Sequence, residues 1–377
     1  MIVLHSHEPD YAVTPVCRPR LPPASRIVSY LARVDRARHY TNHGQLAEEL
    51  GQRLGGFFGI DEGRGVLASS GTAGLIGAIL AVAGRGRPEK PLCVCPAFTF
   101  VATAIAAVTA GYQPFIVDID PETWALDPAA LRKLPALNEA GVIVPVAPMG
   151  RAPDLDAWQT FQEETGIPVV MDAAACFDTL DLVQLRRCSY PVIISLHATK
   201  TLSTAEGGFV VCGSEEVASL ITRALNFGFS GSRESVGPSF NGKLSEYHAA
   251  VGLADLDAWD EKRAGFLQAA GDYHLAAQRH GLGQAILADT EHANPYAHFL
   301  ADDALTADRA EAALAAMHFD TRRWYSKGLQ AQPFYSASGR TPVPVTENLT
   351  ARLIGLPCAC DLDPGKIDQI AQIISCA

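Results

Sequence analysis

Short apolar runs alternate with helical patterns between residues 65 and 212, and this alternation constrains the fold more than any other feature of the sequence. Runs such as Val192-Ile193-Ile194 have no polar face, as expected of strands that are buried on both sides. Strands of this kind, alternating with helices, indicate a mostly parallel sheet covered by helices on both faces. We therefore predict an α/β fold, with a large domain over residues 1–280 that includes an N-terminal arm, and a smaller α+β domain over residues 281–377.

Composition narrows the class of protein. The chain has 377 residues, of which 48% are hydrophobic, so it can bury a sizeable core. Its formal net charge is −11 and it has no basic block, so neither nucleic acid nor an anionic membrane is expected as a partner. Residues 1–8 lack the features of a signal peptide and no apolar run reaches membrane-spanning length, so we expect a cytoplasmic protein.

Several common chemistries lack their sequence signatures. The nine cysteines are an odd number, and Cys93, Cys95 and Cys212 lie in strand-like runs, which indicates buried, reduced thiols. No histidine or acidic residue follows the cysteine pairs at zinc-ligand spacing, so no metal site is predicted. The P-loop, the dinucleotide-binding glycine pattern, the serine-hydrolase elbow and the His-Glu zinc-hydrolase pattern are absent from the sequence.

Two polar residues follow buried strands, at positions where open α/β sheets bind ligands. Lys200 comes shortly after the apolar run 191–194, and Asp172 directly follows the run 167–171. A lysine amine condenses with the aldehyde of pyridoxal phosphate (PLP), and an aspartate keeps the pyridine nitrogen of that cofactor protonated. Lys200 and Asp172 are therefore candidate catalytic residues. A solvated lysine is the plain alternative, because most lysines are exposed.

The segment Ser69–Gly74 joins a short strand to an apolar helix. Its small residues would leave backbone N–H groups and the positive end of the helix dipole available to a phosphate. Ser70 and Thr72 are equally suited to capping the helix, and the sequence alone does not separate the two roles.

Four more residues have more than one interpretation. Phe98 or Phe100 would stack on an aromatic cofactor, or either would pack in the core. Asn42 precedes the predicted helix Gln45–Phe58, and capping of that helix is favoured over contact with a ligand. His197 stands three residues before Lys200 and would modulate that lysine, pack against the cofactor ring or be a satisfied buried imidazole, which is the commonest outcome.

Helical spacing and end signals predict the remaining main elements. A glycine- and serine-rich loop at Gly228–Gly237 is expected to be mobile and to order on binding. The predicted helices are Asp154–Thr165, Glu215–Leu225, a long stretch that is opened by Ser239–Glu246 and runs towards His280, Ala307–Met317 and Pro364–Ser375.

Eight short motifs stand in a fixed order along most of the chain. They are Thr41-Asn42-His43-Gly44, Ser70-Gly71-Thr72-Ala73, Pro96 to Thr103, Val117-Asp118-Ile119-Asp120, Asp172-Ala173-Ala174, Ser195 to Lys200, Glu206-Gly207-Gly208 and Asn241 to Glu246. With these motifs the chain resembles the DegT/StrS family of PLP-dependent sugar aminotransferases, which have the type I aminotransferase fold. The resemblance extends from about Tyr40 to Leu356-Pro357.

The resemblance implies roles for the matching residues. Lys200 would form the Schiff base and shuttle the proton, and Asp172 would hold the pyridine nitrogen. Phe100 would stack on the ring. Asn241 would reach the cofactor phosphate of a neighbouring subunit, which implies a homodimer with shared active sites. The phosphate would be bound by Gly71, Thr72 and Ala73, joined by Ser195.

One position departs from the family pattern. Many members have a glutamine that contacts the cofactor three residues after the aspartate, whereas this chain has Ala175. A water or another side chain must then replace that contact. Lys200 itself argues against the dehydratase branch of the family, which has histidine in its place.

The resemblance also implies the substrates: glutamate as amino donor and a nucleotide-linked keto sugar as acceptor. The segment Thr321–Tyr325 is similar to members acting on deoxythymidine-diphosphate 4-keto-6-deoxy sugars. Two alternatives remain open at this point: a PLP-binding regulatory protein without turnover, and a type I fold enzyme acting on amino acids. The candidate substrate residues are Asn42, His197, Lys243, Tyr296, His298, Arg322, Arg323 and Tyr325.

Overall fold

A computed structural model of the chain describes residues 13–377. The interpretation of residues 1–8 as lacking a targeting signal falls outside these described residues. Within the described part, none of the helices combines the length and the apolar character needed to cross a membrane.

The described residues form thirteen α-helices and ten strands. The helices are α1 (Ala24–Ala37), α2 (Gln45–Phe58), α3 (Gly71–Val82), α4 (Val101–Thr109), α5 (Pro128–Leu131), α6 (Leu155–Thr165), α7 (Leu182–Arg187), α8 (Glu215–Leu225), α9 (Glu246–Asp257), α10 (Trp259–Arg279), α11 (Ala304–Ala316), α12 (Pro344–Arg352) and α13 (Pro364–Ser375). The strands are β1 (Gly65–Ala68), β2 (Leu92–Pro96), β3 (Gln113–Val117), β4 (Ala140–Ile143), β5 (Met171–Asp172), β6 (Val192–Ser195), β7 (Gly208–Val211), β8 (Ile286–Ala288), β9 (Ala297–Leu300) and β10 (Leu353–Leu356).

The large sheet combines two groups of strands, ordered β3-β2-β4 and β5-β6-β7-β1. Parallel bridges from Ile143 to Val169 and from Val146 to Asp172 join β4 to β5. The strand β7 runs antiparallel to both of its neighbours, and the other pairings are parallel. This mostly parallel sheet confirms the predicted α/β fold.

Helices cover both faces of this sheet, which explains why its central strands have no polar side. Ile193 of β6 packs in the apolar cluster that includes Ile79 of α3 and Ile221 of α8. Its neighbour Val192 points to the opposite face and joins the cluster that includes Leu54 of α2. Because successive strand residues alternate between faces, β6 must be apolar throughout.

A second, antiparallel sheet in the order β10-β9-β8 forms the core of the C-terminal part. The helix α10 packs against both α13 and β8, although it precedes residue 281. The N-terminal arm also reaches this part, since Thr14 pairs with Phe319 and Cys17 pairs with Cys358. The division at residue 281 stays a prediction, because α10 and the N-terminal arm both precede residue 281 and both contact the C-terminal part.

The helix α1 was not predicted, although its sequence carries a helical signal. Ile27, Tyr30, Leu31 and Val34 follow the spacing of one helical face, and Val34 is buried. This face packs against α9. The proline-rich stretch before Ala24 ends where the helix begins, with Pro23 as its N-cap.

The predicted capping of α2 by Asn42 is wrong. Asn42 lies in the left-handed region with φ 65°. The N-cap is Gly44, which has no side chain that could accept a hydrogen bond from the helix. The cap comes instead from the buried carboxylate of Glu246, which accepts hydrogen bonds from Leu46 N at 2.8 Å and Ala47 N at 2.9 Å. A Cβ atom at residue 44 would lie 2.6 Å from Glu246 Cδ, so glycine makes room for this distant cap.

We expect Glu246→Ala to lower the free energy of unfolding by about 2 kcal/mol, because two helix N–H groups lose a charged acceptor in a buried place. Urea unfolding followed by circular dichroism measures the change. Glu48→Ala is the matched control, since Glu48 stands exposed in the first turn of the same helix. Equal losses in the two variants would contradict the cap.

Candidate active site

Three segments of the large sheet converge on one site at the ends of neighbouring strands. Asp172 is the last residue of β5 and Ser195 is the last residue of β6, and these two strands are parallel neighbours. The loop after Ser195 carries Lys200. The third segment is the turn between β1 and α3, because Ala68 of β1 pairs with Gly208 and Gly208 pairs with Ser195.

The start of α3 lies directly against Ser195. A Cβ atom at Gly71 would lie 3.1 Å from Ser195 Cβ and 3.3 Å from Ser195 Oγ. Ser70 caps the helix by accepting a hydrogen bond from Ala73 N at 3.0 Å. The capping interpretation is therefore correct for Ser70, and it occupies the N–H group of Ala73. Gly71 and Ser195 thus lie next to each other. The phosphate contacts predicted for Gly71, Thr72, Ala73 and Ser195 stay predictions.

Asp172 is a buried carboxylate held in a fixed orientation. Its Oδ2 atom accepts a hydrogen bond from Thr103 Oγ1 at 2.7 Å, and its Oδ1 atom accepts one from Ala174 N at 3.2 Å. Thr103 Oγ1 lies 2.8 Å from Thr99 Oγ1 in turn. Burial raises the pKa of the Asp172 carboxyl above its ordinary value, and the two hydrogen bonds and the charge of Lys200 offset only part of this rise.

Lys200 points its amine to Tyr296. Its Nζ atom donates a hydrogen bond to Tyr296 Oη at 2.9 Å. Burial lowers the pKa of the Lys200 ammonium, but the Tyr296 hydroxyl, Asp172 and Cys176 raise it by more, so the net direction is upward. The ammonium form is therefore favoured in the free protein, and Lys200 must lose a proton before its amine can attack a carbonyl.

A buried ion pair anchors the loop that carries Lys200. Asp255 Oδ2 accepts a hydrogen bond from Ser203 N at 2.8 Å and lies 2.8 Å from Lys262 Nζ. Both charged side chains are almost fully buried. Sequence reasoning missed this pair, because α9 and α10 bring the two residues to the loop from more than fifty positions away.

An aromatic wall beside Lys200 is formed by Tyr296, which directly precedes β9, by His298 of β9 and by Trp324. Tyr296 and His298 share one face of the chain, whereas Phe299 points into the main core. The two rings stack with centroids 5.9 Å apart, and Trp324 meets Tyr296 edge-on at 5.3 Å. A Cβ atom at Gly355, opposite His298, would lie 2.1 Å from Trp324 Nε1, so only glycine lets the indole ring lie there.

His298 is a neutral imidazole at the back of this wall. Its side chain is buried, and within residues 13–377 its Nε2 atom has no hydrogen-bond partner. Burial, and to a smaller degree the charge of Arg151, lowers its pKa to about 3. A buried, unpaired nitrogen is costly to a folded protein, which makes this atom a candidate for contact with a ligand.

The two adjacent arginines differ in their surroundings. Arg323 donates to Glu311, Asp308 and Ala351 O, so all of its guanidinium nitrogens have partners within the chain. Arg322 instead lies over the Trp324 ring at 4.9 Å, and the described part of the chain offers it no ion pair. Tyr325 packs edge-on against the buried Phe98 at 4.9 Å.

The remaining predicted residues lie at the surface around the site. Phe100, at the start of α4, is 60% exposed, which separates it from the core residue Phe98. Asn241 is exposed, and its Oδ1 atom accepts a hydrogen bond from Lys243 Nζ at 2.8 Å. His197 Nδ1 lies 2.9 Å from Thr199 Oγ1, and its Nε2 atom lies 3.6 Å from Glu206. Asn42 is also exposed.

These residues fit a phosphorylated pyridine aldehyde. The small residues at the start of α3 and Ser195 would suit a phosphate, and Lys200 would supply the amine. The buried carboxylate of Asp172 gains a partner if a protonated ring nitrogen meets it, which relieves the penalty of its burial. Thr103 completes this set. It lies in the first turn of α4, and no local spacing points to its contact with Asp172, 69 positions away.

The chain is similar to known proteins over most of its length. Residues 24–375 match the DegT/DnrJ/EryC1/StrS aminotransferase family. Protein Rv3402c of Mycobacterium tuberculosis (strain ATCC 25618 / H37Rv) is 28% identical over 96% of this chain and 88% of its own length. The dTDP-4-amino-4,6-dideoxy-D-glucose transaminase of Shigella dysenteriae is 33% identical over 65% of each chain. The crystal structure of DesI in the presence of its TDP-sugar product superimposes with a TM-score of 0.82 and 28% identity, over 97% of this chain and 93% of DesI.

Proposed function

The chain belongs to the DegT/DnrJ/EryC1/StrS aminotransferase family and is a PLP-dependent sugar aminotransferase, and from this premise we propose that it transfers an amino group from glutamate to a keto sugar linked to deoxythymidine diphosphate. One observation carries the proposal. Lys200 and the buried carboxylate of Asp172 follow two neighbouring parallel strands, beside the start of α3, and are close enough for their charges to interact.

PLP, when bound, supplies an aldehyde that condenses with amines and a ring that accepts electrons. The protein supplies the proton transfers and the orientation. Asp172 holds a proton at the pyridine nitrogen, and Thr103 fixes the carboxylate for this task. Lys200 Nζ, once released from the cofactor, takes a proton from one carbon and returns it to another, which requires the free amine rather than the ammonium.

The exchange balances over two half-reactions. Glutamate gives its amino group to the enzyme and leaves as 2-oxoglutarate, and one water is consumed in this half. The sugar ketone then receives the amino group, and its oxygen leaves as water. Because the two substrates use the same site in turn, the proposed kinetics are ping-pong.

The aromatic wall supports a sugar as acceptor. Tyr296 lies beside Lys200, and Trp324 packs edge-on against Tyr296. His298 Nε2, which has no partner within residues 13–377, suits a sugar hydroxyl. Arg322 is the arginine suited to the diphosphate, because Arg323 is engaged by Glu311 and Asp308. The names of the Shigella dysenteriae relative and of the DesI structure support a deoxythymidine-type sugar nucleotide.

We also propose that two copies of the chain share their active sites. Asn241, Lys243 and Asn42 are polar residues of loops that lie close together, since Glu246 N donates to Tyr40 O at 3.0 Å. Burial lowers the pKa of His43, and the nearby charge of Lys243 lowers it further. Lys243 also lies 4.3 Å from the exposed ring of Phe227. A surface with exposed aromatic and polar residues of this kind suits a second copy.

The test combines absorption spectra with a substrate screen. Purified enzyme loaded with PLP should lose its yellow colour when glutamate is added, as the cofactor takes up the amino group. Keto sugars of deoxythymidine, uridine and guanosine diphosphate are then offered, and the products are identified by mass spectrometry. We expect amination with the deoxythymidine compounds.

The other outcomes identify the alternatives. Turnover of amino acids without a sugar would mark a type I fold enzyme of amino acid metabolism. Bound PLP that does not respond to glutamate or to other amino donors would mark a regulatory protein. Amination of only uridine or guanosine sugars would refute the nucleotide while leaving the reaction class in place.

A further inference from the structure

The loop that precedes β9 lies close to Ala175, at the position where the family pattern has glutamine. Gly150 has φ 76°, and a Cβ atom there would lie 3.0 Å from Ala175 O and 2.8 Å from Asn294 Nδ2. The loop before β9 therefore packs down next to Ala175. Asn294 is fixed in that place, because its Nδ2 atom donates to Met149 O at 3.0 Å.

This loop positions Tyr296 next to Lys200. Asn294 Oδ1 accepts a hydrogen bond from Tyr296 N at 3.1 Å, which sets the start of the strand. The Tyr296 ring is held between His298 and Trp324. Its hydroxyl oxygen accepts the hydrogen bond from Lys200 Nζ at 2.9 Å, so the proton of that hydroxyl remains available for donation.

The covalent structure of PLP indicates which cofactor atom the Tyr296 hydroxyl would contact. The ring carries a hydroxyl oxygen on the carbon next to the one that bears the aldehyde. When Lys200 is joined to that aldehyde carbon, its nitrogen lies beside this oxygen. A phenol that contacts Lys200 Nζ is thereby placed within reach of the same oxygen.

We propose that Tyr296 donates a hydrogen bond to the ring oxygen of PLP and so replaces the side chain that is missing at Ala175. Tyr296 is then a positioning residue: it fixes the tilt of the ring and stabilises negative charge on that oxygen. The proposal rests on PLP as cofactor and is independent of the sugar and of the amino donor.

The proposal has a spectroscopic consequence. In the bound cofactor, the ring oxygen and the Lys200 nitrogen compete for one proton, and its loss changes the absorption spectrum. A second donor to the oxygen makes the oxygen a poorer acceptor, so the nitrogen loses its proton at lower pH. We expect Tyr296→Phe to raise the pH midpoint of the spectral change by about one unit, the size of one charged hydrogen bond.

A rescue variant and a control define the experiment. Tyr296→Phe combined with Ala175→Gln is expected to bring the midpoint back towards that of the unaltered enzyme. Tyr335→Phe is the control, because Tyr335 is buried in a cluster with Cys95 and Ile116 and should leave the midpoint unchanged. Circular dichroism checks that each variant is folded.

A second measurement uses the protein without cofactor. Competitive acetylation, read by mass spectrometry of the Lys200 peptide, is expected to show a more reactive Lys200 at neutral pH in Tyr296→Phe, because the ammonium loses its acceptor. The proposal is overturned if the spectral midpoint of folded, PLP-loaded Tyr296→Phe equals that of the unaltered enzyme. Failure to aminate a given sugar has no bearing on this result.

Discussion

Lys200→Ala is expected to reduce amino transfer by about 10⁴-fold or more, because it removes both the amine that joins the cofactor and the base that moves the proton. Lys200→Arg should be nearly as inactive, since a guanidinium keeps the positive charge beside Tyr296 and Asp172 but stays protonated. Borohydride reduction provides a direct readout. In the unaltered enzyme it should fix the cofactor covalently on the Lys200 peptide, and in both variants it should not.

Lys366→Ala is the control for this pair, because Lys366 lies exposed on α13. It should keep full activity and the reducible link at Lys200. Recovery of the reduced cofactor on another lysine of the unaltered enzyme would contradict the assignment of Lys200. Activity that survives in Lys200→Ala would contradict the proposed chemistry as a whole.

Asp172→Asn is expected to lower the rate by about 10³-fold without unfolding the protein, because an amide has no negative charge with which to keep the ring nitrogen protonated. The side chain keeps its shape, and an amide oxygen still accepts from Thr103. Single-turnover absorbance changes with glutamate measure the loss. Asp172→Glu serves as the comparison that keeps the charge but moves it.

Asp172→Asn lowers the expected reaction rate, but we expect it not to lower the stability of the cofactor-free protein. The pKa of Asp172 is raised in the folded state, so the folded protein binds this proton more tightly than the unfolded chain does. Stability is then lost as pH rises from the unfolded value near 3.8 through the folded pKa. We expect Asp172→Asn to melt at least as high as the unaltered protein at pH 7, with the difference shrinking as pH falls towards 4. A lower melting temperature at pH 7 would show that the carboxylate is needed for folding.

Local sequence patterns were sufficient for the residues that lie at strand ends. A strand, a small-residue turn and a helix are decided within a few positions, so the site around Asp172, Lys200 and the start of α3 was predictable. The same local rules failed for the cap of α2. Asn42 is the right residue type near the right place, but Glu246 arrives from two hundred positions away and takes the role.

Paired candidates show the same limit. The sequence presented Arg322 and Arg323 as equals, and Phe98 and Phe100 as equals. Packing separates them, because Glu311 and Asp308 of α11 engage Arg323 while Phe98 is buried beside Tyr325. Which member of a pair faces a ligand depends on neighbours that are distant along the chain.

The sequence by itself determined the α/β architecture and the candidate lysine and carboxylate that follow two of its strands. Each of these follows from residues that are close together in the chain. Only the tertiary structure decided what surrounds them. Tyr296 meets Lys200 across 96 positions, Thr103 meets Asp172 across 69, and Asp255 meets Ser203 across 52. Hydrogen bonds over such separations exist only after the helices and sheets have packed, and no short pattern encodes them.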